Sequence, residues 1–305
     1  MAPDFNSIES LYESLFNNSP SFCELETLLT TVYAGNDTPV DILRLDRLDA
    51  EVSGNKVFKL LGHLRQFGQS GRNGLLSFGG RWSNHLHALA YVGKRLGIPT
   101  AAMVLGFPEQ PLTETLKDCE NAGMSLTLCD RKTYAQRYDE SWRRSLAEQY
   151  DMWVIPEGGE GDAGLVGFQC LNPILSGYDE VWVAAGTGTT ALGLAAWMHS
   201  SQRLVIVNAV KDQGALQRRL ESTSLVPQWR LIEPDGSSGS RFGKASPELI
   251  RLITEQDRKG LPLEPVYTAN VFAELFRETG REGFCKRLMI HTGGLQGRRG
   301  YPDLN

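Results

Sequence analysis

The sequence predicts an α/β protein of two domains, each a mainly parallel sheet flanked by helices. Three observations carry this. Short apolar runs alternate with helix-length segments, the pattern of repeated βαβ units. The chain has 305 residues, more than one typical domain holds. Two of the apolar runs also end in turns rich in Gly with Ser, Thr or Asn, and a helix-length segment follows each.

The apolar runs stand at 75–78, 101–105, 125–128, 152–155, 181–185, 204–208 and 287–290. They are continuous rather than alternating, as strands buried on both faces are. Between them, helices are expected at 55–68, 83–96, 112–122, 133–149, 163–175, 189–200, 212–220, 247–258 and 268–279. The first 35 or so residues read as two polar–apolar helices. The segment PDGSSGSRFGK at 234–244 reads as a surface loop or flap. No low-complexity run and no fixed-period repeat interrupts this order. So many units suit two domains: a large one from 1–55 plus 165–305, and a small inserted α/β domain at 56–164.

Composition narrows the function classes. Lys and Arg number 31 against 36 Asp and Glu, a net charge of −5, which leaves no basic footprint for nucleic acid or an anionic membrane. Residues 181–202 carry no charge and could span a bilayer by length. Gly186, Thr187, Gly188, Thr189, Thr190 and Gly193 argue instead for strand, turn and buried helix. Cys23, Cys119, Cys129, Cys170 and Cys285 are odd in number and widely spaced, neither a disulfide framework nor a zinc ribbon. The opening MAPDFNSIESLYESL has acids and no basic n-region, unlike a secretory signal. A cytoplasmic location is expected.

Five segments hold residue types suited to chemistry. In Ser53-Gly54-Asn55-Lys56, Gly allows a tight turn and Ser or Asn can cap the helix, which puts Lys56 in its first turn. The positive helix end is an odd place for a lysine, and one with a lowered pKa suits Schiff-base chemistry; a capped surface helix is the plainer reading. Gly79-Gly80-Arg81-Trp82-Ser83-Asn84 displays polar side chains and backbone N–H groups where a carboxylate can dock. His85 and His87 point to different helix faces, and no third ligand lies at a convincing spacing, so no metal is expected.

Gly186-Thr187-Gly188-Thr189-Thr190 outlines a phosphate cradle but lacks the Gly-Lys-Ser/Thr of a nucleotide loop and the later acid of a dinucleotide fold. Glu264-Pro265-Val266-Tyr267-Thr268 sets a tyrosine just before a helix. His291-Thr292-Gly293-Gly294 follows the last strand, where ligand crevices form. Taken singly, Tyr267 also reads as a core tyrosine and His291 as a structural histidine.

In this order, SGNKVFKL, GGRWSNH, 156–159 with 164–168, GTGTT, EPVYT and HTGG resemble the 1-aminocyclopropane-1-carboxylate (ACC) deaminase and D-cysteine desulfhydrase family. Those are pyridoxal 5'-phosphate (PLP) enzymes of the tryptophan-synthase-β type, fold type II. The resemblance runs from about residue 40 to 295. It implies that PLP is the cofactor and that Lys56 forms the Schiff base with it. It implies that Asn84 contacts the phenolic oxygen, that Ser83 is a catalytic neighbour beside the substrate, and that Gly186, Thr187, Gly188, Thr189 and Thr190 bind the phosphate. Tyr267 matches the active-site tyrosine, and Thr292 a hydroxyl near the pyridine nitrogen. Lys59 is expected to be structural. Lys56 and Ser83 are expected to face the GTGTT turn and Tyr267 across an interdomain cleft.

The sequence departs from the family in informative places. ACC deaminases carry Glu after the tyrosine, where this chain has Thr268, and Leu before the final Gly-Gly, where it has Thr292. A threonine near the ring nitrogen cannot hold it protonated as a carboxylate can, which suits loss of a good leaving group better than opening of a cyclopropane. Phe242 stands where many relatives have a second tyrosine, and Ala269-Asn270 replaces a Gly-Lys. The implied activity is β-elimination from a small amino acid, D-cysteine desulfhydrase-like or ACC deaminase-like, in a homodimer with no nucleic-acid or membrane partner. The alternatives are another fold-type-II reaction, such as a serine or threonine dehydratase or a racemase, and a relative that binds PLP or an amino acid without turnover.

Overall fold

The computed structural model describes residues 27–34, 38–210, 212–233, 244–278 and 285–304. Phe242, almost all of the 234–244 loop and residues 1–26 lie outside the described residues. The described residues fall into two compact units. One contains Asp49–Gly167, and the other Phe168–Asn305 together with the stretch that ends at Leu48. The expected joins at 55/56 and 164/165 lie seven and three residues inside the first unit. Asp49 is held there by Arg95, whose guanidinium bonds both of its carboxylate oxygens at 2.8 Å.

The second unit owns the first two strands, β1 (Leu29–Ala34) and β2 (Thr38–Arg44), which pair antiparallel. Residues 29–34 are therefore strand, not helix as expected. Thr30, Thr31 and Val32 are β-branched, and such residues favour the pleated edge of a sheet.

The first unit begins with α1 (Lys56–Ser70), then β3 (Gly74–Gly79), α2 (Asn84–Leu96), β4 (Thr100–Leu105), α3 (Glu114–Asn121) and β5 (Met124–Cys129). The short α4 (Arg131–Ala135) and α5 (Glu140–Tyr150) precede β6 (Met152–Val154). The helix expected over 133–149 is thus broken. Asp139 is extended and its carboxylate accepts from the N–H groups of Ser141 and Trp142, which starts a new helix. All four strands are parallel, in the order β5-β4-β3-β6. Strands β3, β4 and β5 build outward, and β6 returns to the other side of β3. The order reverses between β3 and β6.

In the second unit α6 (Asn172–Leu175) leads to β7 (Glu180–Ala185), α7 (Thr189–Ala195), β8 (Arg203–Asn208), α8 (Ala215–Glu221) and β9 (Gln228–Ile232). Helices α9 (Pro247–Arg258) and α10 (Thr268–Glu278) precede β10 (Arg287–His291). The sheet order is β1-β2-β10-β7-β8-β9, parallel except for β1. Here the reversal falls between β7 and β10. The uncharged stretch 181–202 is strand, turn and helix, and among the described residues no helix is long and apolar enough to cross a membrane.

The helix expected over 163–175 is instead two short 3₁₀ segments, Asp162–Gly164 and Val166–Leu171, followed by α6. Close packing explains part of this: Gly62 and Gly167 bring backbone against backbone. A β-carbon on Gly62 would overlap the Ala163 carbonyl, and one on Gly167 would overlap the Phe58 carbonyl. Helix propensity favours Gly62→Ala by about 1 kcal/mol. Overlap with backbone cannot relax by a rotamer change and typically costs about 1–3 kcal/mol. Gly62→Ala and Gly167→Ala should therefore both lower stability in urea unfolding. Gly80→Ala, with nothing within 4 Å of the added carbon, should stay within about 0.5 kcal/mol of the parent.

Candidate active site

In each unit the residues singled out by sequence gather where the strand order reverses. In open parallel sheets the strand-end turns diverge at that point and leave a crevice.

In the first unit, Gly54 (φ 71°) turns the chain into α1, whose first residue is Lys56. Asn55 occupies the cap position, but its side chain makes no capping bond. Its Oδ1 instead accepts from the Lys56 amine. The expected cap is thus replaced by a side-chain contact that holds the lysine. Lys56 is half-buried and Lys59, one turn on, is buried.

Strand β3 ends at Gly79, and Ser83 caps α2 by accepting from the Leu86 N–H at 3.2 Å. Only glycine fits at 79, because a β-carbon there would stand 2.5 Å from the Ser83 hydroxyl oxygen. Asn84 opens α2 and is half-buried. Behind them His85 is buried, with Nε2 2.8 Å from the Ser77 hydroxyl. That hydroxyl gives its one hydrogen to the Ile155 carbonyl at 2.8 Å, so His85 donates from Nε2 and its Nδ1 is a bare acceptor. Burial, and then the charges of Lys56 and Lys59, hold the His85 pKa well below the usual histidine range. His63 is held below its ordinary value by burial as well.

After β6, the turn Glu157–Gly159 closes over this cluster. A β-carbon on Gly159 would meet Lys59 at 3.1 Å and His85 at 3.7 Å. Glu157 anchors the turn by accepting from Tyr134 at 2.5 Å and Arg137 at 2.6 Å. His87, by contrast, faces Asp118 and the Glu51 carbonyl. No group of three or more His, Cys, Asp or Glu suited to a metal ion occurs among the described residues.

In the second unit β7 runs into Gly186, Thr187 and Gly188 (φ 84°), and α7 begins at Thr189. The Thr187 and Thr189 hydroxyls lie 3.0 Å apart, and Arg219 donates to the Thr187 carbonyl at 2.5 Å. Tyr267 sits over this turn: a β-carbon on Gly186 would be 3.3 Å from its hydroxyl oxygen. Glycines without side chains, adjacent hydroxyls and the N–H groups of a helix start suit a phosphate monoester. Thr292 is buried after β10, the parallel neighbour of β7, and Gly293 and Gly294 follow at φ 74° and 88°.

Sequence reasoning missed what holds Tyr267. Glu264 is buried and its carboxylate accepts from the N–H groups of Val266, Tyr267 and Thr268 at 2.6–2.8 Å. Burial nonetheless raises its pKa. The usable signal was an acid four residues ahead of a helix start. Asn270, which had no assigned role, donates to the Pro265 and Val266 carbonyls and braces the same segment.

The fold is that of the fold-type-II PLP enzymes. The chain aligns over 96% of its length, at TM-score 0.65 and 15% identity, with a PLP-dependent aspartate racemase. A solved ACC deaminase homologue matches at TM-score 0.75 and 25% identity, covering 96% of this chain and 97% of that one. No protein-family profile matches the chain. A Pyrococcus horikoshii protein provisionally named as an ACC deaminase is 28% identical over 288 residues, 87% of each chain. The D-cysteine desulfhydrase of Klebsiella pneumoniae subsp. pneumoniae is 26% identical, over 83% of this chain and 86% of that one. The chain is therefore a homologue of the ACC deaminases and D-cysteine desulfhydrases, the family its motifs resemble.

His63, His85 and His291 all have folded-state pKa values below the ordinary 6.5. Each is neutral when folded and binds a proton more readily when unfolded, so its contribution is present above pH 6.5 and is lost as pH falls below it. Urea midpoints should be level from pH 8 to 7 and decline steeply from about 6.5 downward. His63→Gln should flatten that decline, and an unchanged slope would count against a neutral buried His63.

Proposed function

We propose that this protein is a PLP-dependent lyase that eliminates the β-substituent of a small amino acid, with D-cysteine as the best-matched substrate and pyruvate, ammonia and sulfide as products. The observation that carries the reading is the tyrosine over the phosphate-type turn: Tyr267 and Gly186 adjoin at a sheet reversal, on a chain homologous to D-cysteine desulfhydrases. The residues fit the cofactor in kind: Lys56 is an amine able to bond its carbonyl, and residues 186–190 are a hydroxyl-lined cradle suited to its phosphate.

When bound, PLP supplies the electron sink that takes up the charge left at Cα. The chain supplies the rest. Lys56 would hold the cofactor by its amine, and its Nζ would take the Cα proton of the substrate. Asn55 Oδ1 orients that nitrogen. Asn84 would contact the phenolic oxygen, and Ser83 would lie beside the substrate carboxylate. Residues 186–190 would hold the phosphate. Thr292 would offer the ring nitrogen a hydroxyl in place of a carboxylate. Tyr267 donates a hydrogen bond or proton to the departing sulfur. Released aminoacrylate takes up water and gives pyruvate and ammonia. We further propose a cytoplasmic homodimer, which accords with the acidic composition, the odd number of widely spaced cysteines and the prevalence of twofold symmetry among enzymes.

The test is the purified protein with PLP, offered D-cysteine, L-cysteine, D-serine and ACC, with 2-oxo acid, sulfide and ammonia measured. Sulfide from D-cysteine is expected. Turnover confined to serine would mark a dehydratase, and a cofactor band with no turnover a binding protein. Lys56→Ala should abolish the visible band of the lysine-bound cofactor and lower turnover by several orders of magnitude. Tyr267→Phe should keep the band and slow elimination about 10²–10⁴-fold if the hydroxyl acts as general acid. Wild-type rates in Tyr267→Phe would reduce the tyrosine to packing.

A further inference from the structure

His291 is fully buried, and it meets two other segments of the second unit as well as the turn that follows it. Its Nε2 lies 2.7 Å from the Pro262 carbonyl. A carbonyl only accepts, so Nε2 carries a hydrogen. Its Nδ1 has two neighbours of opposite character: the Gly293 N–H at 3.3 Å and Asp46 Oδ1 at 3.1 Å. The first requires a bare nitrogen and the second a protonated one.

The surroundings decide between them. Asp46 is already engaged on both oxygens by Arg44, at 2.8 and 2.7 Å, and Arg44 also reaches the Gly260 carbonyl at 3.1 Å. Asp46 favours an imidazolium while Arg44 and complete burial oppose it, and the net displacement of the His291 pKa is downward. Asp46 and Arg44 are the charged groups acting on the ring. The neutral ring therefore donates from Nε2 and accepts the Gly293 N–H at Nδ1.

We propose that His291 is a positioning residue that ties the segment leading to Tyr267 to the turn that carries Thr292. The inference rests on the function proposed above. On one side, Pro262 precedes Leu263 and Glu264, and the Glu264 carboxylate holds the Tyr267 N–H at 2.6 Å. On the other, the Gly293-to-His291 bond spans Thr292 and fixes the chain on both sides of it. One imidazole thus sets the spacing between the proton donor for the leaving group and the contact to the ring nitrogen.

Two isosteres separate the ties. Asn places an oxygen near Nδ1 and can keep the Gly293 bond while losing Pro262; Gln places an N–H near Nε2 and can keep Pro262 while losing Gly293. His291→Asn should retain the cofactor band and lose about 10²-fold in kcat, since a displaced catalytic group costs about that much. Tyr267→Phe added to His291→Asn should then cost far less than in the parent, because the hydroxyl is already misplaced. His291→Gln should keep kcat within about tenfold and shift the cofactor band and its affinity.

Additive losses in the double variant, or parent kcat in His291→Asn, would overturn the proposal while leaving the lyase reading intact. A parent protein with neither band nor turnover would instead remove the lyase reading. The tie itself is then judged on the cofactor-free protein by nitrogen NMR of the imidazole. A neutral Nε2–H ring at pH 7 supports it, and an Nδ1–H ring or an imidazolium overturns it.

Discussion

A strand in a parallel sheet can reach its next neighbour only by a crossover on one face. A chain that builds outward from one strand and later returns to that strand's other side must leave two turns diverging at their C-terminal ends. Both sheets of this protein do so once, beside β3 in the first unit and beside β7 in the second. The strands behind those turns are buried along their whole length, and apart from Ser77 in β3 their polar side chains stand at strand ends. The placement of Ser83 and Asn84, of 186–190 and of Thr292 follows from this constraint more than from any local preference.

Turns placed this way are irregular and would be soft if left alone. Three polar groups brace them: Ser77 and Glu157 take partners from other segments, and the buried Glu264 gathers N–H groups of its own segment. Ser77 joins the Ile155 carbonyl to His85, so the end of β6 and the start of α2 share one hydroxyl. Glu157, gripped by Tyr134 and Arg137, fixes the turn that lies against Lys59. Glu264 gathers three successive N–H groups ahead of α10. An unsatisfied group at any of these places would cost about 1–3 kcal/mol, so each brace holds its own turn in one arrangement.

All four strands of the first unit and β7, β8 and β10 of the second were legible as continuous apolar runs. The rest of the second sheet was not: the edges β1 and β9 mix Thr, Tyr, Gln and Arg with apolar residues, since one side of each meets solvent, and β2 carries Thr38, Pro39 and Asp41 among its apolar residues. The false helix at 163–175 includes Gly167, whose close approach to the Phe58 backbone leaves no mark on the apolar pattern. The residue types at the candidate site were legible at their spacing, and their partners were not. Asn55 looks like a cap until its amide is seen on Lys56, and His291 lies 29 residues from the carbonyl that fixes its tautomer. Contacts of that separation leave no periodic trace in a sequence.

The same accounting bears on which bond the proposed enzyme breaks. At position 268, where ACC deaminases carry an acid, the threonine is fully buried and its hydroxyl accepts the Glu264 N–H at 2.8 Å. It is part of the brace and has no freedom to act on a substrate. Glu264 is the nearest acid in sequence, but its oxygens are held by three N–H groups and turned into the chain. The acid proposed for this arm is then Tyr267, and a phenol is a weak proton source, with an ordinary pKa near 10. Opening a cyclopropane leaves a carbon that must be protonated, whereas a β-thiolate departs with its charge and needs little more than a hydrogen bond. An arm that offers a phenol and buries its carboxylate is matched to the second task.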